Sequence, residues 1–125
     1  MLLTDFYTLT SFRQASETAY EAYILLNKAH AIFKGHFPGN PVTPGVCMMQ
    51  IIKDLTEQIT QQSLFLTRSS NVKFMALINP EENPDLRLEL DVRLDDNGHY
   101  KVKNVTSFSD TVALKLTNIY KINVQ

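Results

Sequence analysis

Apolar and polar positions alternate with two distinct periods along the chain. Met48, Ile52, Leu55 and Ile59 recur at helical spacing, and Cys47 and Ile51 widen that stripe. Gln50, Asp54, Glu57 and Gln61 form the opposite, polar stripe. The pattern predicts one amphipathic helix, with Thr43 as N-cap and Pro44 as first helical residue. It is expected to run to about Gln62. Beyond it the period drops to two. Val72, Phe74, Ala76 and Ile78 alternate with Lys73 and Met75. Leu86, Leu88, Leu90, Val92 and Leu94 alternate with Arg87, Glu89, Asp91 and Arg93, which predicts a strand with one buried and one wet face. Asp96-Asn97-Gly98 reads as a hairpin turn because Asn-Gly tolerates positive φ. Tyr100 to Phe108 and Val112 to Val124 supply two further strands, joined around Ser109-Asp110. Upstream, Tyr20 to Lys28 favours a strand through its Tyr, Ile and Leu content. Phe6 to Phe12 fits either a short strand or a helix. The sum is an α+β layer architecture, a long helix against an antiparallel sheet.

Lys34 to Gly45 interrupts both periods. Three prolines and three glycines in twelve residues exclude regular helix and central strand, so the segment is a stiff, ordered loop. No repeat or low-complexity linker divides the 125 residues, which are expected to form a single domain over 1-125. Hydrophobic residues make up 44% and the net charge is −1, which argues against a nucleic-acid partner. No apolar run approaches the ~20 residues of a membrane span. The N-terminus lacks the basic n-region of a signal peptide, and Cys47 is a single cysteine. A cytoplasmic location is the expectation.

The chemistry concentrates around the loop. His36 lies on it just before the helix N-terminus, where unpaired backbone N–H groups and the positive dipole end gather. Such an end can bind a carbonyl oxygen that gains negative charge, and Gly45 permits close backbone approach. A neighbouring imidazole can accept a proton near neutral pH. Together these suit proton abstraction α to a carbonyl. A lone loop histidine is otherwise exposed or structurally hydrogen-bonded, and His30 and His99 take that reading. Phe33 and Phe37 flank the loop as candidate pocket walls. Met48 and Met49 are candidates to line an apolar tunnel, or ordinary core. Cys47 is assigned no role. Lys28, Lys34, Arg68 and Lys73 are scattered cations that either meet an acidic partner or are simply solvated.

Gly35-His36-Phe37-Pro38-Gly39-Asn40-Pro41-Val42-Thr43-Pro44-Gly45-Val46 resembles the GHFPxxPxxPGV signature of β-hydroxyacyl-[acyl carrier protein] dehydratases. Asn71-Val72-Lys73-Phe74 resembles the strand that follows in that family, and the likeness extends from about Tyr20 onward. The resemblance implies a hotdog fold, an antiparallel sheet wrapped around the central helix. It implies a homodimer or trimer of dimers with sites at subunit interfaces. The implied substrate is a (3R)-hydroxyacyl group on the phosphopantetheine arm of acyl carrier protein. His36 would remove the α-proton, and the Gly45 N–H would bind the thioester oxygen. Phe33, Phe37, Pro44, Val46 and Met49 would bind substrate. No metal or organic cofactor is implied.

One position departs from the family. Its acid at the 3-hydroxyl, a Glu or Asp fourteen residues after the histidine, is here Gln50. An amide hydrogen-bonds but delivers no proton as a carboxylic acid does. One turn on, where the family usually has Gln, stands Asp54. Residues so spaced share a helix face, with Cβ atoms ~5–6 Å apart. One reading makes Asp54 the acid, directly or through a water or Gln50, with burial to keep it protonated for that task. The other reading is a plain polar helix face of Asp54, Glu57 and Gln61. Gln50 also fits a subunit that completes its site by pairing with an active relative. A thioesterase, which needs a group aimed at an attacking water, is the third function class.

Overall fold

The computed structural model describes residues 3–35, 39 and 41–124. The elements are β1 (Tyr7–Gln14), β2 (Ala19–Leu26), a 3₁₀ turn (Ala31–Gly35), α1 (Gly45–Thr60), β3 (Leu64–Phe74), β4 (Asp85–Leu94), β5 (Tyr100–Phe108) and β6 (Thr111–Ile122). The strands form one six-stranded sheet in the order β1-β2-β4-β5-β6-β3. Every neighbouring pair is antiparallel. This is the hotdog arrangement, with α1 packed on the inner face of the sheet. Met48, Ile51, Ile52 and Leu55 of the helix are buried with Ile24, Leu88, Leu90, Leu114 and Tyr120 of the strands. Burying such side chains contributes ~1.5–3 kcal/mol each before entropy is counted.

The helix begins one residue later than expected. Pro44 is its N-cap, in extended conformation, with no side-chain capping bond. Thr43 is turned into the fold: its N–H donates to Ile78 O at 2.8 Å, and its buried Oγ1 has no hydrogen-bond partner. The helix also ends earlier, at Thr60. Gln61 turns left-handed (φ 57°) and its N–H donates to Glu57 O, which closes the last turn.

The strand after the helix differs most from expectation. It starts at Leu64, well before Val72, and it stops at Phe74, so Ala76 and Ile78 lie beyond it. Its register against β6 shifts between Leu66 and Arg68 and again between Ser70 and Lys73. Each bulge sets two residues against one and breaks the alternation that a sequence reading relies on. Asn71, at φ 52°, sits in the second of them. β4 keeps its expected alternation, except that Leu94, at the strand's end, is 62% exposed. In the β4–β5 hairpin only Gly98 takes positive φ, whereas Asn97 does not. The organising residue is Asp95, whose Oδ1 accepts the N–H groups of Asn97 and His99 at 2.8 and 2.9 Å.

A surface pair ties β2 to β4. Arg87 Nε and Nη2 donate to Glu21 Oε2 at 3.1 and 2.6 Å, and these bonds hold the Glu21 carboxyl below the usual carboxylate range. A depressed value means the pairing contributes in full above that range and is lost as pH falls through it. The expected outcome is that Arg87→Gln lowers the neutral plateau of a stability profile and leaves its acid end nearly unchanged, so the limb between them flattens. Urea titrations at neutral and acid pH check this.

Candidate active site

The N-terminus of α1 is bare in the way the loop sequence suggests. Cys47 and Met48 N–H both turn to Pro44 O, so Gly45 and Val46 carry the first helical N–H groups, which have no acceptor inside the helix. The Phe74 ring lies against Gly45: a Cβ added there would meet Phe74 Cζ at 2.9 Å. The missing side chain is therefore used for close approach. Beside it Pro44, Gly45, Met48 and Phe74 line a small apolar pocket of about 290 Å³.

A larger groove of about 540 Å³ runs along the next face of the helix. Val46, Met49 and Gln50 form its α1 wall, Leu64 and Leu66 its β3 wall, and Tyr120 its floor from β6. Helical spacing brings the first three together, and of them only Gln50 belongs to a stripe that the sequence pattern marks. Gln50 Nε2 donates to Asp54 Oδ1 at 2.8 Å, one turn along. Asp54 Oδ2 accepts from the Tyr7 hydroxyl at 3.1 Å, so β1 is tied to the helix at the same carboxylate. Burial first, then the Asp54 charge and hydrogen bond, push the Tyr7 phenol well above its ordinary range. Glu57 is engaged elsewhere: its Oε2 accepts Leu64 N–H at 2.8 Å, with Lys53 Nζ at 3.7 Å.

Behind the groove lies a second polar chain. Ser69 Oγ donates to Asn118 Oδ1 at 2.6 Å, and Asn118 Nδ2 donates to the Tyr120 hydroxyl at 2.9 Å. Burial pushes the Tyr120 phenol up to about 12, against the lowering effect of the Asn118 bond. Asn118 is fully buried. Asn118→Leu would strand the buried Tyr120 hydroxyl, whereas the exposed Ser69 hydroxyl can turn to water, so we expect a stability loss of ~1–2 kcal/mol. It would be read as a lower urea midpoint with unchanged slope.

The structure thus brings Val46, Met49, Gln50 and Asp54 to one stretch of helix, with Pro44 and Gly45 at its end. Phe33 is placed apart from them, buried in the core and stacked on Phe6 with ring centroids 5.3 Å apart. His36 and Phe37 lie outside the described residues. His30 has a structural role: its Nε2 bonds Thr4 O at 2.9 Å and its Nδ1 accepts Ile32 N–H at 3.1 Å. It lies four residues beyond the end of β2. Tyr7 and Tyr120 escaped the sequence reading. A tyrosine on a strand gives no sign of which face its hydroxyl serves.

Comparison with known proteins agrees with this fold. The family model described as ApeI dehydratase matches residues 12–113. A 3-hydroxyacyl-[acyl-carrier-protein] dehydratase FabZ from Caulobacter sp. (strain K31) is 30% identical over 90 residues, 65% of this chain and 54% of that protein. The FabZ of Lactobacillus helveticus (strain DPC 4571) is 31% identical over 88 residues, covering 65% of this chain and 58% of its own length. The match spans little more than half the length of these relatives. Among solved structures, the dehydratase heterocomplex ApeI:P from Xenorhabdus doucetiae superposes with a TM-score of 0.72 at 18% identity, covering 91% of this chain and 96% of the other. A putative thioesterase, yhdA from Lactococcus lactis, gives 0.69 at 11% identity with both chains fully covered. At such identities these two structures establish the fold alone.

Proposed function

The chain belongs to the ApeI-like dehydratase family, and from that we propose that it interconverts (3R)-hydroxyacyl and trans-2-enoyl thioesters on an acyl carrier protein. His36 takes the α-proton. The N–H groups at the start of α1, Gly45 foremost, hold the thioester oxygen as it gains charge. The 3-hydroxyl leaves toward the Gln50–Asp54 pair. Asp54, protonated for this step, supplies the proton that hydroxide needs, directly or through a water or Gln50, and is left as the carboxylate. Pro44, Val46 and Met49 line the path of the acyl chain, and Phe37 walls the loop side. The chemistry needs no metal or organic cofactor, and we assign it to the cytoplasm.

The observation that carries this reading is the helix N-terminus at Gly45, whose first N–H groups have no acceptor inside the helix, with the Gln50 amide about 7.5 Å further along the axis at the wall of a groove and hydrogen-bonded to Asp54. One site would therefore offer an anion-binding end and a polar group for the departing hydroxyl. The test is to mix the purified protein with a trans-2-enoyl-acyl carrier protein and follow loss of the conjugated enoyl absorbance as water adds. Steady loss is expected. A folded protein inactive across short and long acyl chains would overturn the reading, and release of free thiol would point to a thioesterase.

A second reading has its own support. β3 is an edge strand, and it leaves Phe65, Val72 and Phe74 exposed, which suits pairing with another chain. A homodimer through this edge, or a trimer of such dimers, is the simpler assembly. Gln50, in place of a carboxylic acid, favours instead a pair with a related hotdog chain that supplies the acid. Activity that emerges only when a second hotdog chain co-purifies would decide for the latter.

A further inference from the structure

Tyr7 on β1 and Asp54 on α1 stand 47 residues apart in sequence and meet at 3.1 Å. Asp54 accepts through both oxygens, Oδ2 from Tyr7 and Oδ1 from Gln50 Nε2 at 2.8 Å. An acceptor at Oδ1 leaves the Gln50 amide one orientation: its N–H must face Asp54. The carbonyl oxygen and the second N–H of that amide are then left for the groove. Gln50 lines the groove, whereas Tyr7 and Asp54 do not. Of the other polar groups lining the groove, Lys53 is paired with Glu57, Asn123 Nδ2 donates to Leu64 O, and the Tyr120 hydroxyl accepts from Asn118. Among the described residues, Gln50 thus offers the groove a polar group of fixed polarity, held from β1.

We propose that Tyr7 is a positioning residue for Gln50, acting through Asp54, and that the amide so held selects acyl thioesters carrying a 3-hydroxyl over saturated ones. This rests on the dehydratase reading above. The burial that keeps the Tyr7 phenol neutral keeps its hydrogen available to Asp54. Without that bond, Asp54 can swing on its own χ angles and the amide loses its fixed partner. An oriented neutral hydrogen bond to a ligand hydroxyl is worth a discrimination of about five- to tenfold.

The test compares a 3-hydroxyacyl-pantetheine with the saturated acyl-pantetheine of equal chain length, by calorimetry. The full-chain wild type is expected to prefer the hydroxylated ligand about five- to tenfold. Tyr7→Phe, which removes one oxygen and keeps the ring, should bring that preference to about twofold or less, with affinity for the saturated ligand unchanged. Asp54→Asn can donate as well as accept, so it should lose the preference too. An unaltered preference in Tyr7→Phe overturns the proposal, as does equal weakening of both ligands, which a merely structural role would give. If the wild type binds neither ligand, the dehydratase reading fails and the side-chain amide hydrogens of Gln50 decide the inference by NMR. Their exchange should then be about tenfold faster in Tyr7→Phe than in wild type, and equal rates would sink it.

Discussion

Replacing His36 with alanine is expected to slow hydration of a trans-2-enoyl thioester by about 10²–10⁴-fold, the usual worth of a positioned general base. The expectation follows from chemistry at the α-carbon. A thioester α-proton is weakly acidic, and of the side chains that accept protons near neutral pH, imidazole is the one whose ordinary value already lies there. The other two histidines are not placed for the task. His30 is tied to Thr4 and Ile32 on both ring nitrogens, and His99 lies at the β4–β5 hairpin, its backbone bonded to Asp95. A folded His36→Ala protein should therefore keep its thermal midpoint and its ligand affinity but lose turnover. Retained turnover would remove the histidine from the mechanism and leave the helix end as the main source of rate. Loss of affinity together with turnover would make His36 a binding group instead.

The parts of this fold that could be read from sequence are those where one periodicity governs a whole element. In α1 the apolar positions from Met48 to Ile59 follow one face, and packing kept the register that they set. In β4 the strict alternation survived because both of its neighbours pair without a break. β3 was half missed for the opposite reason. Two bulges and a left-handed Asn71 reset its alternation, and as an edge strand it buries little beyond Leu64 and Leu66. The N-cap was misassigned because Thr43 has two competing uses, and its backbone bond to Ile78 fixed it inside the fold before the helix started. At the candidate site the helical partners were legible, since Gln50 and Asp54 are one turn apart. Tyr7 was not, because its contact depends on how far β1 curls around the helix, which is a tertiary fact with no local pattern.

Gln50→Glu is the more informative gain-of-function change, with an expected rise in hydration rate of about 10²-fold. The amide nitrogen at position 50 now sits 2.8 Å from Asp54 Oδ1. A carboxyl in its place would stand within hydrogen-bond distance of the Asp54 carboxylate, and two such groups cannot both be ionised without heavy repulsion. The pair would hold one proton into the neutral range and titrate as a unit. That shared proton is what a leaving hydroxide needs, at the position where the dehydratase signature expects an acid. The sign of the pH effects follows. A value raised above that of the unfolded chain makes the variant's activity fall as pH rises through it, and its stability relative to wild type fall over the same window. A pH–rate profile beside a pH–stability profile would check both limbs. A folded variant with no gain at any pH would mean that position 50 does not limit the reaction, so that Asp54 already delivers the proton or a second chain supplies it. Tyr7 separates these two. If Asp54 is the donor, Tyr7→Phe should lower the wild-type rate. If a partner chain is the donor, that substitution should change ligand preference while leaving the rate of the assembled pair nearly untouched.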